Sequence, residues 1–144
     1  MVLDRIKAKG HNNILCTHGS TIELTKDRHL TKRGNCILGV SASKACYDLT
    51  NELKLYIKEG KKVQVILESN QYRDSFYGYG DKNLSLNHQK DIVFRKSDYI
   101  CNRTGLVRCS KSSRELSREL INNLKTSKNQ IHILFKRVEE NGES

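Results

Sequence analysis

The sequence has no tryptophan, no proline and no Cys-x-x-Cys pair, and its apolar runs are all short. A bilayer-crossing helix needs roughly 20 consecutive apolar residues, so none is expected. Met1 to Gly10 alternates charged and apolar residues. It lacks the apolar stretch of about 7–15 residues that marks a secretory leader, so a cytoplasmic protein is expected. Structural zinc sites usually take ligands in closely spaced pairs. Here Cys16, Cys36, Cys46, Cys101 and Cys109 are odd in number and widely spaced, and Cys16-x-His18 is the one close pair. Most of these cysteines have apolar neighbours, which suits reduced thiols packed in a core. There is no P-loop, G-x-G-x-x-G, G-x-S-x-G or H-E-x-x-H, so no metal, cofactor or catalytic group is expected from motifs. The missing proline and tryptophan accompany abundant Lys, Asn and Ile, a genomic bias without functional content.

What is present is positive charge. The 144 residues carry 26 Lys+Arg against 16 Asp+Glu, a formal charge of +10. With 36% hydrophobic residues the chain can still bury a core.

Sliding the chain against itself reveals one strong offset, of 70 residues. Gly10, Asn13, His18, Ile22, Lys26, Arg33 and Ser43 meet Gly80, Asn83, His88, Ile92, Lys96, Arg103 and Ser113. Upstream, Asp4 meets Asp74. The same order of elements reads in both halves. Strands are expected at Val2–Lys9 and Tyr72–Tyr79, near 14–18 and 84–88, at Thr21–Thr25 and Asp91–Arg95, and at 36–40 and 106–109. Helices follow, one capped by Ser43 and ending at Gly60, the other capped by Ser112 or Ser113 with Glu115 closing a capping box. Alternating strands at 62–68 and 130–137 end each half. The expectation is α+β: two tandem β-β-β-β-α-β repeats, 1–70 and 71–138, fused into one pseudo-twofold, mainly antiparallel domain with two helices. Residues 139–144 are expected to form a flexible acidic tail.

Each half carries a charge of +5, concentrated ahead of its helix. Lys26, Lys32 and Arg33 in the first half, and Arg95, Lys96 and Arg103 in the second, are candidate phosphate contacts. His18, His88 and Tyr99 are candidate polar or stacking contacts. His18 and His88 occupy equivalent positions, so a pseudo-twofold could place them near each other, as a pair able to bind metal or shuttle protons; the favoured reading makes them strand-end residues bonded to backbone. Tyr77 and Tyr79 share one face of their strand, with Phe76 on the other.

One dense pattern runs along the chain: Gly10-His-Asn-Asn, Thr17-His18, Thr21-x-Glu23-x-Thr25-Lys26-Asp27, and Leu30-Thr31-x-Arg33-Gly34-Asn35-Cys36-Ile37-x-Gly39-Val40. Ala42-x-Lys44-Ala45 and Arg95-Lys96-Ser97-x-Tyr99-x-Cys101-x-Arg103-Thr104 continue it. Over roughly 3–137 it resembles the archaeal family catalogued as domain of unknown function 371. The chain departs from that family at its helix starts, where Ala42-Ser43-Lys44 and Ser112-Ser113-Arg114 stand in place of Ala-Asp-Lys. The resemblance implies an archaeal cytosolic protein and supplies no activity.

These readings lead to a non-catalytic RNA-binding protein, associated with the ribosome or tRNA, that uses a basic face made of equivalent loops. The alternative is an enzyme or binder for a small phosphorylated metabolite in a cleft between the repeats. A third reading is a basic adaptor for an acidic protein.

Overall fold

The computed structural model describes residues 1–138; the expected acidic tail, 139–144, lies outside the described residues. Alternating apolar and charged residues give β1 (Val2–Lys9), whose Ile6 and Ala8 enter the core while Arg5, Lys7 and Lys9 face solvent. It is followed by β2 (Thr21–Thr25), β3 (Ile37–Gly39), α1 (Asn51–Lys58), β4 (Lys62–Ser69), β5 (Tyr72–Tyr79), β6 (Asp91–Arg95), β7 (Thr104–Leu106), α2 (Arg118–Asn123) and β8 (Gln130–Arg137). The fold is α+β, mostly antiparallel, with small helical content.

Two four-stranded sheets, β1-β8-β4-β5 and β3-β2-β6-β7, carry the eight strands. Among the described residues, β2–β3 and β6–β7 are the parallel pairs. The sheets pack through Phe94 of the second, whose ring centroid lies 5.5 Å from Phe76 and 6.0 Å from Phe135 of the first. Each sheet takes two strands from each half of the sequence. In the first sheet β1 pairs with β8 alone, so the N-terminal strand of one half is held by the C-terminal strand of the other.

The segments near 14–18 and 84–88 are not strands. Cys16 and Leu86 take positive φ of 50° and 51°, which breaks an extended run, and Ile14 and Leu84 bury from irregular backbone. The strands expected at 36–40 and 106–109 are shorter, and the second is shifted to Thr104–Leu106. The helices start later than expected. Ser43 Oγ instead accepts from Lys7 N (2.9 Å), and a single 3-10 turn, Cys46–Asp48, precedes α1. Thr50 caps α1, accepting from Leu53 N at 3.2 Å, and Ser117 caps α2, accepting from Leu120 N at 3.3 Å. The expected Ser112–Glu115 pair does form, with Ser112 N donating to Glu115 at 2.9 Å, but it closes a 3-10 turn.

The 70-residue offset holds for β1/β5 and β2/β6 and then slips to 67, from β3/β7 through α1/α2, because 26–36 is longer than 96–103. Insertions collect in such connections. The Arg33/Arg103 and Ser43/Ser113 matches are therefore not structural equivalents. Arg103 stands where Cys36 does: Cys36 O accepts from Glu23 N, and Arg103 O from Val93 N.

The edges of the first sheet are occupied. Lys9 and Val40 exchange both backbone hydrogen bonds, and Ser43 N donates to Lys7 O. On the other edge Tyr79 and Val107 do the same, and Ser110 engages Tyr77 N and O. Gly10 and Gly80 sit where a Cβ would run into the carbonyls of Leu124 and Ile57. Gly80→Ala should cost about 3 kcal/mol through this backbone collision, read as a lower urea midpoint with unchanged slope.

Candidate nucleic-acid interface

Most of the loop residues expected to contact phosphate are committed elsewhere. Lys26 Nζ lies 2.6 Å from Asp48, and Lys96 Nζ 2.8 Å from Glu115. Arg103 reaches Glu23 at 2.6 Å and Asp91 at 3.2 Å, two carboxylates on the outward side of β2 and β6 that are almost wholly buried. Burial raises the Glu23 pKa, and Arg103 offsets part of that rise. Cys36 donates its thiol hydrogen to the same carboxylate at 3.5 Å. Arg103 is thus a structural counter-ion, and charge reversal there reports on folding rather than on ligand contact.

Arg95 donates to Thr104 Oγ1 (2.9 Å) and Cys101 Sγ (3.3 Å), with its guanidinium 5.0 Å from the centroid of the exposed Tyr99 ring. Lys32 and Arg33 are exposed and form no ion pair among the described residues. His18 and His88 fold back on their own turns. Nδ1 of His18 accepts from Ser20 N and Thr21 N, both at 3.2 Å; Nδ1 of His88 accepts from Lys90 N (3.3 Å) and Asp91 N (2.9 Å). An accepting Nδ1 leaves the neutral ring's proton on Nε2. The two histidines are not brought together. His18 precedes β2 and His88 precedes β6, and these strands run antiparallel, so the rings lie at opposite ends of the pair, roughly 17 Å of strand apart.

The Lys96–Glu115 pair makes a pH prediction. Hydrogen bonds from Lys96 and from Ser112 hold the Glu115 carboxyl down at about 2. A folded pKa below the unfolded one favours the fold above the unfolded pKa, and that contribution is lost as pH falls through the folded value. The Glu115 carboxyl resonance should reach its titration midpoint only near pH 2, and Lys96→Met should move that midpoint toward the ordinary range near 4.3.

A second basic surface lies on the outer face of the first sheet, around the buried Ile66. Period-two alternation sends Arg5, Lys7 and Lys9 outward from β1, His132, Leu134 and Lys136 from β8, Lys62, Gln64, Ile66 and Glu68 from β4, and Arg73, Ser75, Tyr77 and Tyr79 from β5. Both helices contribute their apolar residues to the core on the other side of this sheet. The register aligns these residues across strands: Lys7 with His132, His132 with Glu68, Glu68 with Arg73, Gln64 with Tyr77, and Lys62 with Tyr79. Six cations therefore face one carboxylate, Glu68, which is itself paired with Arg73 at 3.5 Å. Arg5, Lys7, Lys9, Lys62 and Lys136 make no ion pair among the described residues. Lys62 Nζ lies 4.5 Å from the Tyr77 ring centroid, and the Arg108 guanidinium 5.1 Å from that of Tyr79.

A solvent-open depression at Gly60 and Gly80 gathers Lys58, Lys82 and Arg108, but Glu59 and Asp81 line it too. Its nearly balanced charge does not favour an anionic metabolite.

A family described as Domain of unknown function (DUF371) matches residues 6–137. The chain belongs to this family. An uncharacterised protein of Methanocaldococcus jannaschii is 43% identical over 126 residues, spanning 88% of this chain and 93% of that relative. Within the matched residues, Glu23, Cys36, Asp91 and Arg103 form the buried charge cluster described above. Burial pushes the thiols of Cys16 and Cys36 up to about 11 and those of Cys46 and Cys109 up to about 12, so they stay protonated at neutral pH. No helix among the described residues is long and apolar enough to cross a membrane.

Sequence reasoning missed the sheet face because its residues are spread over four distant segments. Two signals were available: the alternating cations of Arg5, Lys7 and Lys9, and the shared face of Tyr77 and Tyr79.

Proposed function

We propose that this protein is a non-catalytic, cytoplasmic RNA-binding protein that engages its ligand on the outer face of the first sheet. One observation carries the reading: Arg5, Lys7, Lys9, Lys62 and Lys136 share a face beside Tyr77 and Tyr79 and form no ion pair among the described residues, the face's one described carboxylate, Glu68, being paired with Arg73. Phosphate contacts by such side chains release counterions and bind any polyanion, while aromatic rings add base stacking. A second copy of the chain would meet the same charge and be repelled, which favours an anionic partner over self-association. Arg95 and Tyr99 belong to the other sheet, and they and the exposed Lys32 and Arg33 are secondary under this reading. Ribosome or tRNA association is its narrower form.

The test is binding of labelled total RNA across a salt series. Lys7→Glu with Lys9→Glu should weaken binding about 100-fold at ~0.1 M salt and reduce the log–log salt slope by about 2. Lys32→Glu with Arg33→Glu should change it by less than about threefold. The reverse ranking would return the interface to the loops. Co-sedimentation with ribosomal subunits that is lost at high salt would support the narrower form.

A further inference from the structure

We infer that the face is built for single-stranded nucleic acid, with unpaired bases stacking at the corner formed by Tyr77, Tyr79, Gln64 and Lys62; the inference rests on the RNA-binding reading above. Tyr77 and Tyr79 are two residues apart on β5, so their rings project from the same face about 7 Å from one another. Both are half-exposed, as stacking requires. Each has a cation 4.5–5.1 Å from its centroid, and one cation covers at most one face of a ring. Gln64 lies directly across from Tyr77 and offers an amide with donor and acceptor for a base edge.

The remaining cations fit a backbone track. Lys136 is the cross-strand neighbour of Gln64, and Lys7 lies three strands from β5 at the diagonal corner. Three strand spacings and two residue pairs give a diagonal of about 20 Å, the scale of a short single strand of roughly four nucleotides.

Paired nucleic acid fits poorly. A four-stranded face spans about 14 Å from β1 to β5, whereas a B-form major groove admits a helix or a two-stranded ribbon. The RNA major groove is narrower still, and its bases are closed to stacking.

The experiment is fluorescence anisotropy at one fixed salt with three probes: a mixed-sequence single-stranded RNA decamer, the same decamer annealed to its complement, and inorganic polyphosphate as competitor. Wild type should prefer the single strand at least tenfold. Tyr77→Leu with Tyr79→Leu should lose about 10–100-fold for the single strand alone, leaving duplex affinity and polyphosphate competition unchanged. Tyr77→Phe with Tyr79→Phe should restore single-strand binding, and it serves as the folded control if the leucine variant melts early. Equal affinity for duplex, or single-strand affinity indifferent to these rings, overturns the inference. The RNA reading then still stands if Lys7→Glu with Lys9→Glu weakens all probes. Absence of binding to every probe overturns both.

Discussion

Asp4→Ala is expected to cost about 3–4 kcal/mol of folding stability, and Asp74→Ala somewhat less. Asp4 Oδ1 accepts from Arg5 N (2.7 Å) and Lys44 Nζ (2.6 Å), and Oδ2 from Thr50 N (2.8 Å). Asp74 repeats the set with Ser75 N, Lys111 Nζ and Ser117 N at 2.7, 2.6 and 2.8 Å. Each carboxylate thus ties an edge strand to the lysine after its edge cover and to the cap of a helix. Truncation strands a lysine charge and leaves two backbone N–H groups to find other partners. The Asp4 side chain is 4% exposed and that of Asp74 13%, which orders the two losses. Urea unfolding of both single variants checks the ranking. Burial alone would raise the Asp74 pKa, but the hydrogen bonds from Lys111, Ser117 and Ser75 outweigh it and hold the carboxyl below its ordinary value. Its contribution is therefore complete above the unfolded pKa, near 3.9, and disappears as pH falls through the lower folded value. An Asp74→Asn variant should consequently lose less stability to acid than wild type does.

Arg103→Met should cost about 2–3 kcal/mol at neutral pH, since it leaves Glu23 and Asp91 buried side by side without a counter-ion. The loss is held below that of a fully buried pair because Arg103 is 38% exposed and water can partly replace it. Its pH dependence is the sharper test. The Glu23 pKa is raised in the fold, so its ionised form costs stability above the folded pKa, and that cost is relieved as pH falls through it. Removing Arg103 raises the pKa further. The gap between variant and wild type should therefore shrink as pH falls from neutrality through the raised Glu23 pKa. A gap independent of pH would mean that the guanidinium stabilises by packing alone. RNA affinity of the folded variant should stay near that of wild type.

The strands were the legible part of the sequence. Thr21–Thr25 and Gln130–Arg137 follow from alternation, Tyr72–Tyr79 from its aromatic content, and Val2–Lys9 and Asp91–Arg95 from their place in the repeated order, and each has one face on the core. The helix boundaries were not, because Ala42, Ala45, Cys46 and Leu49 are buried at spacings that imitate a helix while belonging to a turn and extended backbone. Nothing local signals that Thr50, rather than Ser43, is the cap. That choice depends on Asp4, 46 residues earlier in sequence, which binds the Thr50 N–H. The candidate site was less legible still. A lysine that will pair with Asp48 and a lysine that will face solvent look alike in one dimension. Lys26 and Lys7 are told apart only by the partners that folding brings to them.

The covered edges carry a consequence for assembly. Open sheet borders are where chains add to one another and where fibrils begin. Here Lys7 and Lys9 on one border, and Tyr77 and Tyr79 on the other, already exchange backbone bonds with 40–43 and 107–110. A foreign strand cannot lengthen this sheet at those positions without first peeling one of these short straps away. The sheet can therefore present its outer face at high protein concentration while its borders stay shut to growth.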